Sequence, residues 1–211
     1  PGTDGELGDD LYAISKTNAT KHIITDGKRT KMIKVSLIGP EIYNKVSLME
    51  WFLSNGEESV QGYDKFYWNE KAQNYKLDIC DKESIEYLFK NVDYVFHCAA
   101  ESRIGPAIEN PLNATRINVI GTCNILQCAR ENNIKRVLYS STSSGYGNNT
   151  CPNIESQVDD CLNPYSVSKV AGEKLCKMYS ELFNLPTIVF RYFNVYGERA
   201  PQKGQYCPVI G

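Results

Sequence analysis

The chain has 211 residues, which predicts one domain or one and a half and is long enough to bury a hydrophobic core without disulfide or metal staples. Hydrophobic residues make up 42% and charged residues 23%, as in an ordinary globular chain, and the net charge of −2 argues against a general nucleic-acid binder. The sequence has no run of about 18 apolar residues that would span a bilayer, and its polar, acidic N-terminus does not have the pattern of a signal peptide.

The eight cysteines contain no CxxC pair, so neither a zinc ribbon nor a thioredoxin-type site is predicted, and no metal site is expected. Several of them stand inside apolar stretches, such as Cys98 in the segment FHCAA. Buried thiols of this kind are typical of reduced proteins. We therefore expect reduced core cysteines and a cytoplasmic location.

The first elements in chain order are weakly marked. Residues 1–30 are polar and predict no element. A strand-like run within Lys31–Pro40 closes at Gly39, Val46–Ser54 has helical apolar spacing, and Ser59–Tyr63 has the pattern of a short strand.

From residue 75 on, strands and helices alternate. The strands are predicted at the end of Gln73–Ile79, in Val92–Ala100, in Lys135–Ser141 and in Pro186–Phe193; the helices are predicted over Asp81–Lys90, Asn113–Asn132 and Pro164–Phe183. Such alternation is typical of a parallel sheet wrapped by helices. We predict an α/β, doubly wound, Rossmann-like fold that is apparently incomplete.

One predicted helix carries a pair of side chains suited to proton transfer. Tyr165 and Lys169 stand at i and i+4, on one helix face, where an ammonium group favours the phenolate and lowers the tyrosine pKa. Such a tyrosine can act as a general acid or base. The spacing alone is weak, because the chain also contains Tyr12–Lys16 and Tyr67–Lys71.

The context strengthens the Tyr165 copy. Three predicted strands end in polar or small residues, at His97–Ala100, at Tyr139–Gly147 and at Arg191–Gly197. Parallel α/β sheets bind their ligands at the carboxyl ends of the strands. We expect these three ends to meet in one crevice, beside the helix of Tyr165.

Five segments in this order and spacing, HCAAES, NVIGTCNIL, SSTSSGYG, NPYSVSKVAGEK and RYFNVYG, closely resemble the extended short-chain dehydrogenase/reductases. Within that family they resemble nucleotide-sugar epimerases and dehydratases, most of all UDP-glucose 4-epimerases. The resemblance covers about residues 73–211. It implies NAD as cofactor, a UDP-hexose as substrate, and transient oxidation of the sugar at C4 followed by hydride return to the other face.

The resemblance also implies residue roles. Tyr165 would be the catalytic base, Lys169 would bind the nicotinamide ribose and lower the tyrosine pKa, and Thr142 would share the proton. The implied cofactor-binding residues are Asp78, Ile79, Ala99, Ala100, Asn118, Ser140, Ser141, Tyr165, Lys169 and Phe193. The implied substrate-binding residues are Glu101, Ser102, Thr142 and Asn194. His97 is expected in the core or behind the site, and Asn118 could simply satisfy a buried backbone group.

The family's glycine-rich turn has no match in this sequence. Residues 32–63 could be a degenerate first β-α-β unit, with Ile42 and Lys45 in two glycine positions. Alternatively, residues 1–70 resemble the second half of a dTDP-4-dehydrorhamnose reductase-like protein, with Tyr12 and Lys16 as that protein's own pair. We favour the second reading, with an epimerase-type partial Rossmann domain over residues 71–211.

Three alternatives to an epimerase remain. A dehydratase needs an acid/base pair beside the hydroxyl residue, and Ser143 and Ser144 disfavour it. A decarboxylase is possible, and so is a non-catalytic Rossmann-like module without the glycine turn. Relatives continue for about 100 residues beyond the sixth strand, so the chain is expected to be a fragment. The resemblance implies a homodimer formed through the helices over Asn113–Asn132 and from Tyr165, and no nucleic-acid or membrane partner is expected.

Overall fold

The computed structural model describes residues 12–17, 35–39 and 72–195, with the side chains of Tyr75 and of residues 77–195. Its strands are β1 (Tyr12–Thr17), β2 (Val35–Gly39), β3 (Ala72–Leu77), β4 (Tyr94–His97), β5 (Arg136–Thr142) and β6 (Thr187–Tyr192). They form one sheet in the order β3-β1-β2-β4-β5-β6. Because β2, β4, β5 and β6 are parallel and helices connect the last three of them, the predicted α/β, Rossmann-like fold is confirmed.

The strand β1 runs antiparallel to both of its neighbours, β2 and β3. No element was predicted within residues 1–30, so this strand was not anticipated from the sequence. Its backbone groups bond on both sides, which an antiparallel strand achieves as well as a parallel one. Because Tyr12 and Lys16 lie in a strand, their spacing does not place them one helical turn apart. The predictions for residues 40–71, including the helix, the short strand, the turn positions and the Tyr67–Lys71 pair, lie outside the described residues, and the two readings of residues 1–70 stay predictions.

The connections between the parallel strands are helical. Between β3 and β4 lie α1 (Lys82–Ile85) and a 3-10 turn (Glu86–Phe89). Between β4 and β5 lie α2 (Ile104–Glu109), α3 (Pro111–Thr115), a π-helical segment (Arg116–Gly121) and α4 (Thr122–Glu131). The helix predicted over Asn113–Asn132 is therefore present, with a π-helical interruption.

The helix α5 (Pro164–Phe183) occupies the predicted range. It begins there because Asn163 and Ser166 form a reciprocal capping box, in which the Asn163 side chain accepts from the Ser166 N–H at 2.9 Å, and because Pro164 suits the first helical position. It ends there because Asn184 adopts a left-handed conformation, with φ 55°.

The hydrophobic core lies between the sheet and these helices. Its largest fully buried side chains are Tyr139, Phe89, Ile79, Ile85, Leu88, Ile117, Ile125, Leu126 and His97. The described cysteines are free thiols. Cys128 and Cys176 are buried in the core, but Cys151 is exposed, so the prediction of core cysteines holds only in part.

Candidate active site

The carboxyl ends of β4, β5 and β6 lie at one edge of the sheet because these strands are parallel neighbours. His97 of β4 is opposite Tyr139 of β5, and Thr142 of β5 is opposite Tyr192 of β6. β5 thus extends past the end of β4. This stepped edge is the position at which open α/β sheets bind ligands.

Lys169 is the buried cation of this edge, with only 3% of its surface exposed. Its Nζ lies 4.1 Å from the centroid of the Tyr139 ring, and the Tyr139 hydroxyl donates to the Lys169 carbonyl at 3.2 Å. Gly172 allows this approach, because a Cβ there would lie 2.2 Å from the Tyr139 hydroxyl oxygen. Burial lowers the pKa of Lys169 to about 8, so the ammonium group can lose a proton more readily than an exposed lysine.

Tyr165 precedes Lys169 by one helical turn, and Thr142 ends β5 at the same edge of the sheet. Tyr165 is partly buried in the first turn of α5, and its carbonyl accepts from the Ser168 hydroxyl at 2.8 Å. Thr142 is the buried last residue of β5, and its Oγ1 accepts from the Ser144 N–H at 3.1 Å, which caps a 3-10 turn (Ser143–Tyr146). Local turn geometry therefore orients the threonine hydroxyl.

Asn118 braces three segments at once. Its Oδ1 accepts from the Glu101 N–H at 2.8 Å, and its Nδ2 donates to the Glu101 carbonyl at 3.0 Å and to the Ser168 hydroxyl at 2.8 Å. The asparagine thus joins the loop after β4 to the first turns of α5. It satisfies the partly buried backbone groups of Glu101 and also links this residue to the helix that carries Tyr165. Ser168 is a connecting residue that sequence reasoning missed.

Asp78 and Ile79 follow β3, at a different part of the sheet. One carboxylate oxygen of Asp78 accepts from the Cys80 N–H at 2.8 Å, and the other pairs with the guanidinium of Arg116. Ile79 is fully buried against Gly121, where a Cβ would lie 2.5 Å from its Cδ1. Any contact of Ile79 with a cofactor would therefore involve its backbone.

The other predicted residues lie close to the strand ends. Ala99 and Ala100 are buried directly after β4, and the Ser140 hydroxyl lies 3.3 Å from the Cys98 sulfur. Phe193 is largely exposed and stacks on Tyr146 with ring centroids 5.9 Å apart. The remaining two predicted substrate residues, Ser102 and Asn194, are exposed.

His97 is a core residue, as expected. It is fully buried, and its Nε2 lies 2.9 Å from the Thr122 hydroxyl. Burial, with a smaller effect of the Lys169 charge, lowers the pKa of His97 to about 3. The imidazole is therefore neutral at physiological pH.

A partly buried ion cluster was not predicted from the sequence. Glu173 of α5 accepts from the Ser141 hydroxyl and from Nε of Arg191 at 2.9 Å, and Nη2 of Arg191 also lies 2.5 Å from Asp159. Ser141, a predicted cofactor residue, is thereby engaged through its hydroxyl. The signal that could have revealed the cluster is an arginine inside the apolar strand of residues 186–193, since a buried guanidinium requires carboxylate partners.

The fold and these residues define a Rossmann-like α/β protein with a tyrosine–lysine helix at the carboxyl edge of its sheet. The family model "NAD dependent epimerase/dehydratase family" matches residues 47–210, and the chain belongs to that family. Members of this family use NAD.

Curated relatives bear several activity names. The chain is 39% identical over 140 residues to a putative UDP-glucose 4-epimerase of Methanocaldococcus jannaschii, covering 65% of this chain and 46% of that protein. It is 38% identical over 142 residues to a UDP-N-acetyl-alpha-D-glucosaminuronate decarboxylase of Bacillus cytotoxicus, covering 64% and 43%. The chain thus spans less than half the length of these relatives.

A solved structure of a relative has a similar fold. The UDP-glucose 4-epimerase of Thermotoga maritima, determined with UDP-glucose, superimposes with a TM-score of 0.71 at 25% identity, over 80% of this chain and 58% of that one. Among the described residues, no cluster of three or more histidine, cysteine or acidic side chains could hold a metal ion. In the same part of the chain, no helix has the length and apolarity that crossing a membrane requires.

Proposed function

We propose that the protein is an NAD-dependent nucleotide-sugar epimerase that inverts a UDP-hexose through transient oxidation at C4. The observation that carries this proposal is the buried Lys169 ammonium beside the ends of β4 and β5, one helical turn from Tyr165. A cation that is shielded from water stabilises a nearby phenolate more strongly than a solvated one does. A tyrosine in this position is suited to take a proton from a sugar hydroxyl near neutral pH.

The chain's own residues divide the proton transfer among them. Tyr165 takes the proton of the sugar 4-hydroxyl, and Lys169 holds the phenolate charge. The Thr142 oxygen uses one lone pair for the Ser144 N–H, so its hydroxyl can still donate a hydrogen bond to the sugar oxygen. Asn118 keeps Glu101, a proposed substrate contact, at a constant position relative to α5.

The residues that the structure describes fit a flat cofactor ring at the strand ends. Ala99 and Ala100 are small and buried after β4, so that a nicotinamide could approach the backbone, with Phe193 on the side of β6. Bound NAD would supply the hydride acceptor and donor for C4. Lys169 would bind the nicotinamide ribose and Asp78 the adenine, for which the carboxylate must share or exchange its Arg116 partner. The turn after β2 lies outside the described residues.

A homodimer in the cytoplasm completes this proposal. The helix α3, the π-helical segment that follows it and the helix α5 carry exposed apolar side chains, namely Leu112, Ile120, Val167 and Leu182. Apolar groups on neighbouring helices are suited to a helical interface with a second copy. Sedimentation velocity of the wild type and of an Ile120→Asp/Leu182→Asp variant tests this part: the wild type is expected as a dimer and the variant as a monomer.

A decarboxylase is the second candidate, because the relative from Bacillus cytotoxicus is nearly as similar as the epimerase. Both reactions begin with oxidation at C4, so Tyr165 and Lys169 would act alike in the two cases. The difference lies in the fate of a carboxylate at C5 of the sugar.

The experiment combines binding with turnover. Calorimetric titration of the chain with NAD is expected to give micromolar or tighter affinity, and Tyr165→Phe is expected to preserve it. UDP-glucose and UDP-galactose should interconvert, with a loss of about 10²–10⁴-fold in Tyr165→Phe. Release of CO₂ from a UDP-hexuronate without interconversion would favour the decarboxylase. Absence of NAD binding would mean that this chain is a fragment or a non-catalytic module.

A further inference from the structure

The helix face that carries Tyr165 and Lys169 continues to Glu173. The three residues stand at i, i+4 and i+8 of α5 and form one stripe along the helix. Glu173 ends this stripe in a partly buried ion pair, with its side chain 11% exposed and that of Arg191 12% exposed. The stripe therefore has a charged anchor two helical turns after Tyr165.

The anchor reaches the end of β5. Arg191 of β6 is paired in register with Ser141 of β5, and Glu173 accepts from the Ser141 hydroxyl as well as from Nε of Arg191, at 2.9 and 3.0 Å to its two oxygens. Ser141 directly precedes Thr142. One carboxylate thus ties α5 to the strand residue next to the proposed proton-sharing hydroxyl.

The same arginine holds the chain segment that follows β5. Its Nη2 pairs with Asp159 at 2.5 Å, and its guanidinium carbon lies 4.7 Å from the centroid of the Tyr146 ring. Asp159 also pairs with Lys174 at 2.6 Å. The 3-10 turn after Thr142 and the loop that leads into α5 are therefore attached to one guanidinium.

Directional, multidentate ion pairs are a costly way to gain stability in a buried position, since apolar residues of similar volume often stabilise as well or better. They differ from apolar contacts in that they define the relative orientation of the groups that they join. Rotation of α5 would change the orientation of Tyr165 and Lys169 relative to the Thr142 end of β5. Orientation at this place bears directly on the proposed chemistry.

We propose that Glu173 and Arg191 are positioning residues, whose partly buried ion cluster holds α5 so that Tyr165 and Lys169 face the Thr142 end of β5. This inference rests on the proposed function for the meaning of that geometry. Its test, however, requires neither NAD nor turnover.

The test is the titration of the Tyr165 phenol, followed by NMR of protein labelled at the tyrosine ring carbon that bears the hydroxyl. The Tyr165 signal is assigned by its loss in Tyr165→Phe. Electrostatics alone predicts that removal of the Glu173 charge in Glu173→Gln lowers the titration midpoint, because a negative charge disfavours the phenolate. Loss of positioning predicts the opposite, because a shifted α5 would move the Lys169 ammonium off the Tyr139 ring and into water, where it stabilises the phenolate less.

We expect Glu173→Gln to raise the Tyr165 midpoint by at least half a pH unit. The control is Glu181→Gln on the same helix, whose carboxylate forms an exposed pair with Lys177; it is expected to change nothing. A lowered or unchanged midpoint in folded Glu173→Gln would overturn the proposal. If that variant does not fold, Glu173→Met/Arg191→Met removes both charges of the pair together, and the same criterion applies to it.

Turnover separates this proposal from the proposed function. If the wild type binds NAD and interconverts UDP-hexoses, Glu173→Gln is expected to reduce kcat at least tenfold with little change in KM, and Arg191→Lys should recover only part because an ammonium cannot form the bidentate pair. An inactive wild type refutes the epimerase, whereas the NMR result still decides the positioning of Tyr165.

Discussion

Replacement of Gly172 by alanine tests the packing on which the Lys169 site depends. A Cβ at this position would lie 2.2 Å from the Tyr139 hydroxyl oxygen and 2.7 Å from the ring carbon that bears it. Tyr139 is fully buried in β5 and cannot swing into solvent. The ring must shift, and the hydrogen bond from its hydroxyl to the Lys169 carbonyl is strained or lost.

Two effects of opposite sign decide the outcome of Gly172→Ala. Alanine is about 1 kcal/mol more favourable than glycine inside a helix. Overpacking of a dense core costs about 1–3 kcal/mol, and loss of the hydrogen bond costs about 1 kcal/mol more. We expect a net loss of about 1–3 kcal/mol in the free energy of unfolding, which lowers Tm by about 2–4 °C per kcal/mol for a chain of this size.

Urea denaturation of Gly172→Ala and of a matched control variant measures this change in the free energy of unfolding. Gly105→Ala is the control, because Gly105 also lies in a helix but a Cβ there meets nothing within 4 Å, so a gain of up to about 1 kcal/mol is expected. Adding Tyr139→Phe to Gly172→Ala removes the nearest atom and should return part of the lost stability. If Gly172→Ala is as stable as Gly105→Ala, the close approach of α5 to β5 is refuted.

Three further predictions concern the buried polar groups. Asn118→Ala leaves both backbone groups of Glu101 without their partner and should lower the free energy of unfolding by about 2–3 kcal/mol in urea; an unchanged midpoint would contradict the bracing role. The pKa of His97 is lowered to about 3, so between pH 6.5 and 3 the native state binds fewer protons than the unfolded state. The free energy of unfolding should therefore fall on acidification by up to about 1.4 kcal/mol per pH unit. His97→Gln should lose this dependence in acid titrations followed by circular dichroism. The pKa of Lys169 is lowered from 10.5 to about 8, so the stability of the wild type should rise relative to that of Lys169→Met as pH increases from 8 to 10.5. The expected rise is about 3 kcal/mol at most. A constant difference between the two proteins in paired melts would show that this ammonium is not desolvated.

Local signals account for the elements that were predicted well. α5 could be assigned to its exact range because Asn163 and Pro164 mark its start and Asn184 follows its end, and each of these residues acts through its own backbone geometry. The parallel strands could be recognised from apolar runs that alternate with helices. The strand β1 could not, because a polar segment obtains its place in a sheet from hydrogen bonds to distant strands, which its own pattern does not encode.

The candidate site likewise contains residues with a local sequence signal and residues that meet only after folding. Tyr165 and Lys169 could be proposed because their spacing is local, and Asn118 because of its resemblance to a family motif. Glu173 and Asp159 meet Arg191 only after folding, and no spacing in the sequence connects these residues. Arg191 itself was detectable as a charge within an apolar strand. Its partners were not, because any of several acidic residues could have served.

Burial of the Lys169 ammonium destabilises the native state, although in the proposed mechanism it favours the Tyr165 phenolate. Below pH 8 the native state must hold an ammonium group away from water, with the Tyr139 ring as compensation, so Lys169→Met is expected to be at least as stable as the wild type there. A lysine that served only the fold would show the reverse, since its removal would lower stability. If Lys169→Met is both more stable below pH 8 and unable to stabilise the Tyr165 phenolate, the desolvated cation is explained by its effect on that tyrosine and not by the packing of α5 against β5.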